Sequence, residues 1–105
     1  MDNVYENKMN LEFLSKSSNE AFARITVASF ASQLDPSIEE ISDIKTAVSE
    51  AVTNSIIHGY EDKQGIIKIE CTLFANSIEI QISDNGKGIE TLKKQKNLYI
   101  QQNLS

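Results

Sequence analysis

Apolar and polar residues alternate in three stretches of the chain, which is the pattern of half-buried β-strands. The first stretch covers residues 9 to 14, where Leu11 and Phe13 fall on one face. A turn at residues 75 to 77 separates the other two, whose apolar positions share one face: Ile67, Ile69, Cys71, Leu73, Ile78, Ile80 and Ile82. The pattern predicts a short first strand and an antiparallel hairpin.

Two further segments have the apolar period of a helix. A capping box of Ser17 and Glu20 predicts a helix over about residues 18 to 34, and a second helix is expected from Pro36-Ser37 to His58-Gly59. Their apolar positions are Ala23, Val27, Phe30 and Leu34, then Ile38, Ile41, Ile44, Val48, Val52 and Ile56. We expect both helices to cover the isoleucine face, giving an α+β fold: a two-layer sandwich of helices on an antiparallel-rich sheet.

Composition limits the protein to one small domain and narrows its partners. The chain has 105 residues, of which 40% are hydrophobic, and a net charge of −5. Because acidic residues predominate, we expect neither nucleic acid nor a membrane as a direct partner. The lone Cys71 cannot form an internal disulfide, and the polar N-terminus is no secretory signal, so a cytoplasmic location is expected.

The charge is unevenly distributed along the chain. Seven basic and fifteen acidic side chains give residues 1 to 90 a net charge of −8. Residues 91 to 105 carry +3 and contain neither an acidic residue nor glycine. Residues 91 to 105 therefore differ in charge and composition from the rest of the chain.

Glu50 is the only charged residue in residues 46 to 59, a segment rich in apolar and small side chains that we expect to be buried almost all round. A spacing of four places Glu50, Asn54 and His58 on one stripe. Desolvation of Glu50 would make it a better proton acceptor, and the amide oxygen of Asn54 suits Mg²⁺. The alternatives are a solvated Glu50 at the helix edge and a His58 that only caps carbonyl groups.

A second candidate is the run Asp-Asn-Gly-Lys-Gly-Ile at residues 84 to 89, directly after a predicted strand. Gly86 and Gly88 permit a tight turn and close approach of a ligand to the backbone. Asp84 can accept a hydrogen bond from an exocyclic amine. The alternative is an ordinary Asp-Asn-Gly turn.

Together, a helix with Glu-x-x-x-Asn, a hairpin and Asp-x-Gly-x-Gly resemble the Bergerat-type ATP-binding fold of histidine kinases, DNA gyrase and mismatch-repair ATPases. Within that superfamily, the run Val-Ser-Glu-Ala-Val-Thr-Asn at residues 48 to 54 and Ile-His-Gly-Tyr at residues 57 to 60 resemble the anti-sigma F factors of spore-forming bacteria. Residues 21 to 24 and 27 to 30 match as well. The resemblance extends over about residues 9 to 90.

The resemblance implies ATP or ADP and Mg²⁺ as cofactors. By position, it implies that Glu50 activates the attacking hydroxyl group and that Asn54 holds Mg²⁺. Asp84 would recognise the adenine amine by accepting a hydrogen bond from it, and Gly86 and Gly88 would line the base pocket. The implied nucleotide-binding residues are Asn54, His58, Asp84, Gly86 and Gly88.

The resemblance also implies partners. Family members bind the sporulation sigma factor F when ATP is bound, phosphorylate a serine of an anti-anti-sigma factor, and act as homodimers. This chain is thereby expected to be a protein-serine kinase that negatively regulates sporulation transcription. Arg24 matches a helix-one arginine that the family uses to contact partners, and its alternative is a solvated surface charge.

The likeness stops after Ile89, where the family continues with a segment like Ala-Lys-Glu-Pro-Leu-Tyr-Thr-Thr-Lys-Pro-Glu-Leu, a second glycine box, a third helix and two closing strands. Coding DNA for that segment, read one base later, can encode residues 95 to 105 followed by a stop. We hypothesise a single-base frameshift, with residues 1 to 90 an N-terminal part of the ATP-binding domain and 91 to 105 an out-of-frame tail. An absence of Gly-Met-Gly coding sequence downstream of the Ser105 codon would contradict it.

Loss of that C-terminal part would have physical consequences. It would remove the backbone amides that hold the phosphates and would leave an unpaired sheet edge and an uncovered apolar face. We therefore expect the chain to fold poorly and to have little or no kinase activity.

Two other functions fit the residues. One is a sensor-type ATPase domain of the same superfamily with another target. The other is a small α+β interaction domain without a nucleotide site, in which Glu50 and Asp84 are merely solvated.

Overall fold

The computed structural model describes residues 4–59, 65–84, 88–95 and 100–104, and of residues 59, 88–95 and 100–104 it describes the backbone alone. Within these ranges the order is β1 (Asn7–Leu14), α1 (Asn19–Ala31), α2 (Ile38–Asn54), β2 (Ile66–Leu73), β3 (Ser77–Asp84), β4 (Gly88–Gln95) and β5 (Ile100–Leu104). A 3₁₀ turn, Ser32–Leu34, follows α1, and a π-helical turn, Ser55–Gly59, called the π-turn below, extends α2. No helix within the described ranges is long and apolar enough to cross a membrane.

The strands form one antiparallel sheet in the order β1-β2-β3-β4-β5. Its register pairs Leu11 with Ile69 and Ile69 with Ile82, so the apolar positions of neighbouring strands meet on one face. The predicted first strand and the β2–β3 hairpin are both confirmed, although β1 begins two residues earlier, at Asn7.

Both helices cover this face of the sheet and form one core with it, so the predicted α+β two-layer sandwich is confirmed. The buried members of the core are Ala23, Val27, Ala31, Ile44, Val48, Ala51, Val52, Ile67, Ile69, Cys71, Leu73, Ile78, Ile80 and Ile82. The prediction is wrong for Ile38, which is 87% exposed. As the first residue of α2, it lies beyond the edge of the sheet-facing stripe.

The capping box predicted at the N-terminus of α1 is found at the N-terminus of α2 instead. Ser17 and Glu20 do not form a capping box, because the N-cap of α1 is Ser18, whose side chain makes no capping hydrogen bond. A capping box forms instead at α2, where Ser37 Oγ accepts from the Glu40 N–H at 3.1 Å. The Glu40 carboxylate in turn accepts from the Ser37 N–H at 2.8 Å. The box fixes the start of the helix that carries Glu50 and Asn54.

The edge of β3 is paired along its whole length, so the edges of the described sheet are β1 and β5. β4 pairs with β3 from Asp84↔Gly88 to Ser77↔Gln95, and β5 pairs in turn with β4. Strand pairing uses main-chain groups that every non-proline residue carries, so residues 88–95 can form a strand whatever their resemblance to the family. The division of the chain at residue 90 stays a prediction.

Candidate functional site

Glu50 lies on α2 and is exposed, so the expectation of a helix buried almost all round is wrong on this side. Ile44, Val48, Ala51 and Val52 face the core and bury only the sheet-facing stripe of α2. Small residues on the other side fill little space and leave the carboxylate in solvent. The solvated alternative therefore describes Glu50 in this structure, and the desolvation expected from the sequence is absent.

Asn54 is exposed like Glu50 and lies one helical turn further along α2. The two side chains consequently present a carboxylate and an amide oxygen on one open surface. Among the described residues there is no group of three His, Cys, Asp or Glu side chains able to hold a metal ion. A site of this composition suits a cation that takes only one or two ligands from the protein and the rest from phosphate and water, as Mg²⁺ does.

The π-turn directly follows Asn54 and carries His58, which is exposed. At the junction the Ser55 N–H is shared between the carbonyls of Ala51 and Val52. The sequence correctly predicts helical backbone as far as residue 59 and gives no sign of the wider turn. π-Helical turns occur frequently at functional sites.

Asp84 is the last residue of β3 and is half-buried. It lies opposite Ile67 of β2 and opposite Gly88, the first residue of β4. The chain reverses between Asp84 and Gly88, as the turn alternative requires, while Gly86 lies outside the described residues. The role of Asp84 toward a nucleotide stays a prediction.

Contact between β3 and the π-turn links the two elements in which the candidate stretches begin and end. The strand that ends in Asp84 thus lies against the end of the helix that carries Glu50 and Asn54. This adjacency is what the fold adds to two motifs that are 30 residues apart in the sequence. It makes one combined site possible on the helix side of the sheet.

An ion pair that the sequence does not reveal holds Arg24 on α1. Arg24 Nε donates to Glu20 Oε2 at 2.9 Å, and both side chains are partly buried. A hydrogen bond from the Ser49 hydroxyl, followed by the contact with Arg24, lowers the pKa of the Glu20 carboxyl. Arg24 is therefore a partnered side chain and not the freely solvated charge of the alternative reading.

The described residues also line a groove of about 340 Å³ on the opposite, helix-free face of the sheet. Its walls come from β1, β2 and β3: Asn10, Leu11, Glu12, Lys68, Ile69, Glu70, Gln81 and Ser83. Of the candidate site residues whose side chains the structure describes, none lines it. We call it the outer groove, and it offers a competing location for any small ligand.

Comparison with known proteins identifies the family. Residues 15–102 match the family described as "Histidine kinase-like ATPase domain". Among curated proteins, the chain is 70% identical over 92 residues to an "Anti-sigma F factor" of Clostridium botulinum (strain Alaska E43 / Type E3), covering 87% of this chain and 64% of that protein. It is 66% identical over 90 residues to the protein of that name from Thermoanaerobacter sp. (strain X514), covering 86% and 63%.

The expected resemblance to the anti-sigma F factors is thus confirmed. The chain spans less than two thirds of the length of these relatives. Membership of an ATPase-domain family implies ATP binding, and it disfavours an interaction domain without a nucleotide site. The family match covers most of the chain and the fold has the expected α+β layers, so this chain belongs to the histidine kinase-like ATPase domain family.

Proposed function

We propose that this chain binds ATP or ADP with Mg²⁺ and acts as an anti-sigma factor toward the sporulation sigma factor F. The observation that carries the proposal is the identity of 70% to a protein named for that role. The contact between β3 and the π-turn supports it, because β3 ends in Asp84 and the π-turn directly follows Asn54.

In the proposed complex most of the candidate residues have one task each. Asp84 accepts a hydrogen bond from the adenine amine, and the backbone at Gly86 and Gly88 allows the base to approach closely. The amide oxygen of Asn54 contributes to holding Mg²⁺, which supplies positive charge to the phosphates when it is bound. His58, which is exposed on the π-turn, is the remaining candidate nucleotide-binding residue and has no separate task assigned.

We propose protein-serine kinase chemistry for Glu50, with an anti-anti-sigma factor as the substrate. The serine oxygen attacks the γ-phosphorus, the bond to the oxygen bridging to ADP breaks, and Glu50 receives the serine proton. An exposed carboxylate is a weak base in water. Because a bound nucleotide and a docked protein substrate exclude solvent, the desolvation that strengthens the base arises in the complex.

Binding to the sigma factor tests the proposal directly. The purified chain, as a monomer or as the homodimer that we also propose, is titrated with the cognate sigma factor F in the presence of Mg·ATP, Mg·ADP or no nucleotide. We expect the affinity for the sigma factor to be at least about tenfold higher with ATP than with ADP or without nucleotide. A nucleotide that binds more tightly to one conformation of the chain favours that conformation and changes the affinity for the partner accordingly.

Calorimetric binding of nucleotide without binding of sigma factor would instead favour the alternative of an ATPase domain with another target. Binding of neither would contradict the proposal. Light scattering on the same samples determines whether the chain is a homodimer.

A further inference from the structure

Arg24 is held in an unusual way for an arginine on a helix surface. Its Nε donates to Glu20 Oε2 at 2.9 Å, and the two side chains are 33% and 22% exposed. Exposed pairs of this i, i+4 type are ordinarily weak and mobile. The partial burial of both partners distinguishes this pair from a solvated one.

The Glu20 carboxylate has a further partner on the neighbouring helix. A side-chain hydrogen bond from Ser49, which belongs to α2, is the largest cause of the lowered pKa of the Glu20 carboxyl. Glu20 therefore lies between Arg24 of its own helix and Ser49, the residue immediately before Glu50. A carboxylate held from two helices has less rotational freedom than one held within a single helix.

The guanidinium nitrogen that contacts Glu20 determines the orientation of the rest of the guanidinium group. Arginine carries five N–H donors in a rigid, planar fork, and the contact with Glu20 uses the one at Nε. The two terminal amino groups lie on the far side of the fork from Cδ. Fixing Nε consequently fixes the direction in which those groups face.

We infer that Glu20 is a positioning residue that holds Arg24, through the hydrogen bond at Nε, in the conformation in which it contacts the protein partner. The inference rests on the proposed function, because it takes the sigma factor as that partner. Glu20 acts through Arg24 and does not touch the partner itself. The arrangement reduces the rotamer entropy that Arg24 loses on binding.

A double-mutant cycle tests this action through Arg24. The affinity of the chain for the sigma factor in Mg·ATP is measured for Glu20→Gln, Ser49→Ala, Arg24→Ala and the double variant Glu20→Gln/Arg24→Ala. We expect losses of about three- to tenfold for Glu20→Gln and a smaller loss for Ser49→Ala. In the Arg24→Ala background, Glu20→Gln should have no further effect beyond about twofold.

Asp43→Asn is the matched control, because it removes one negative charge from an exposed position of α2. It should leave the affinity unchanged. Additive losses from Glu20→Gln and Arg24→Ala would overturn the inference, since they would mean that Glu20 acts independently of Arg24. Equal losses from Asp43→Asn and Glu20→Gln would overturn it as well, because they would reflect net charge.

A second readout needs no partner, so it separates failure of the inference from failure of the proposed function. Arg24 is the only arginine in the sequence, and its Nε–Hε group therefore gives a single side-chain signal in a nitrogen-resolved NMR spectrum. We expect this signal to be rigid on the nanosecond timescale in the wild type and mobile in Glu20→Gln and Ser49→Ala. A mobile signal in the wild type would overturn the inference even if the sigma factor binds.

Discussion

Glu50→Gln should slow phosphoryl transfer from ATP to the anti-anti-sigma serine by about 10²- to 10⁴-fold, the usual contribution of a general base. Glutamine has nearly the shape of glutamate but cannot receive the serine proton. Because Glu50 is exposed on α2, the substitution should hardly change the free energy of unfolding. ADP affinity should change by less than about threefold, since the proposed role lies in the transition state.

Single-turnover conditions, with the chain in excess over labelled ATP, make even slow transfer measurable. Glu39→Gln is the matched control, since it is the same chemical change at another exposed position of the same helix. A transfer rate for Glu50→Gln equal to that of Glu39→Gln would contradict the assigned role. Transfer by the wild type is expected to be slow, because the likeness to the family stops after Ile89. Undetectable transfer would contradict the kinase half of the proposal and leave nucleotide and sigma factor binding to be judged separately.

Asp84→Asn should weaken ADP binding by about tenfold to a hundredfold, because a hydrogen bond to a charged group contributes about 1.5–3 kcal/mol. The loss of affinity should depend on which base the nucleotide carries. A carboxylate accepts from the amine of adenine and repels the carbonyl oxygen that guanine has at the same position. Asparagine can also donate, so the variant should lose most of the preference for ADP over GDP.

Calorimetric titration of wild type and Asp84→Asn with both nucleotides measures this preference. Asp84 is half-buried at the end of β3, so the unfolding midpoint of each variant is determined alongside. Asp43→Asn, on the exposed side of α2, controls for the lost charge. Equal weakening of ADP and GDP, or no weakening, would contradict the assignment of Asp84 to the adenine amine.

Strands β1 to β3 were predictable because their signal is local, whereas β4 and β5 were not predicted. In β2 and β3 every second residue is apolar, and that period alone determines which face is buried. The observed register, with Ile69 opposite both Leu11 and Ile82, follows once the apolar faces are matched. The helix stripes were predictable in the same way, apart from Ile38 at the end of its stripe.

The capping boxes show where local sequence stops being sufficient. Ser17 with Glu20 and Ser37 with Glu40 have the same spacing, yet only the second pair forms a box. Ser37 has extended backbone, with φ −69° and ψ 167°, and follows Pro36. At α1 the N-cap, Ser18, has helical backbone, and the Glu20 carboxylate accepts a hydrogen bond from Arg24.

The candidate site residues were chosen from the sequence, but their environment could not be predicted from it. The motif around Glu50 indicated a functional helix, while the burial expected for it depended on what packs against the outer side of α2. Exposure is a tertiary property, and a helix with small residues on that side is compatible with either outcome. The π-turn and the Glu20–Ser49 link likewise depend on contacts between elements that are distant in sequence.

The central claim is that the nucleotide binds on the helix side of the sheet, between the end of α2 and the end of β3. The most direct test is to titrate the isotope-labelled chain with Mg·ADP and map the shifts of its backbone amide signals. We predict the largest shifts at Asn54, along the π-turn and at Asp84, with small shifts at Asn10 and Glu70 of the outer groove. The largest shifts in the outer groove, with Asn54 and Asp84 unmoved, would contradict the account.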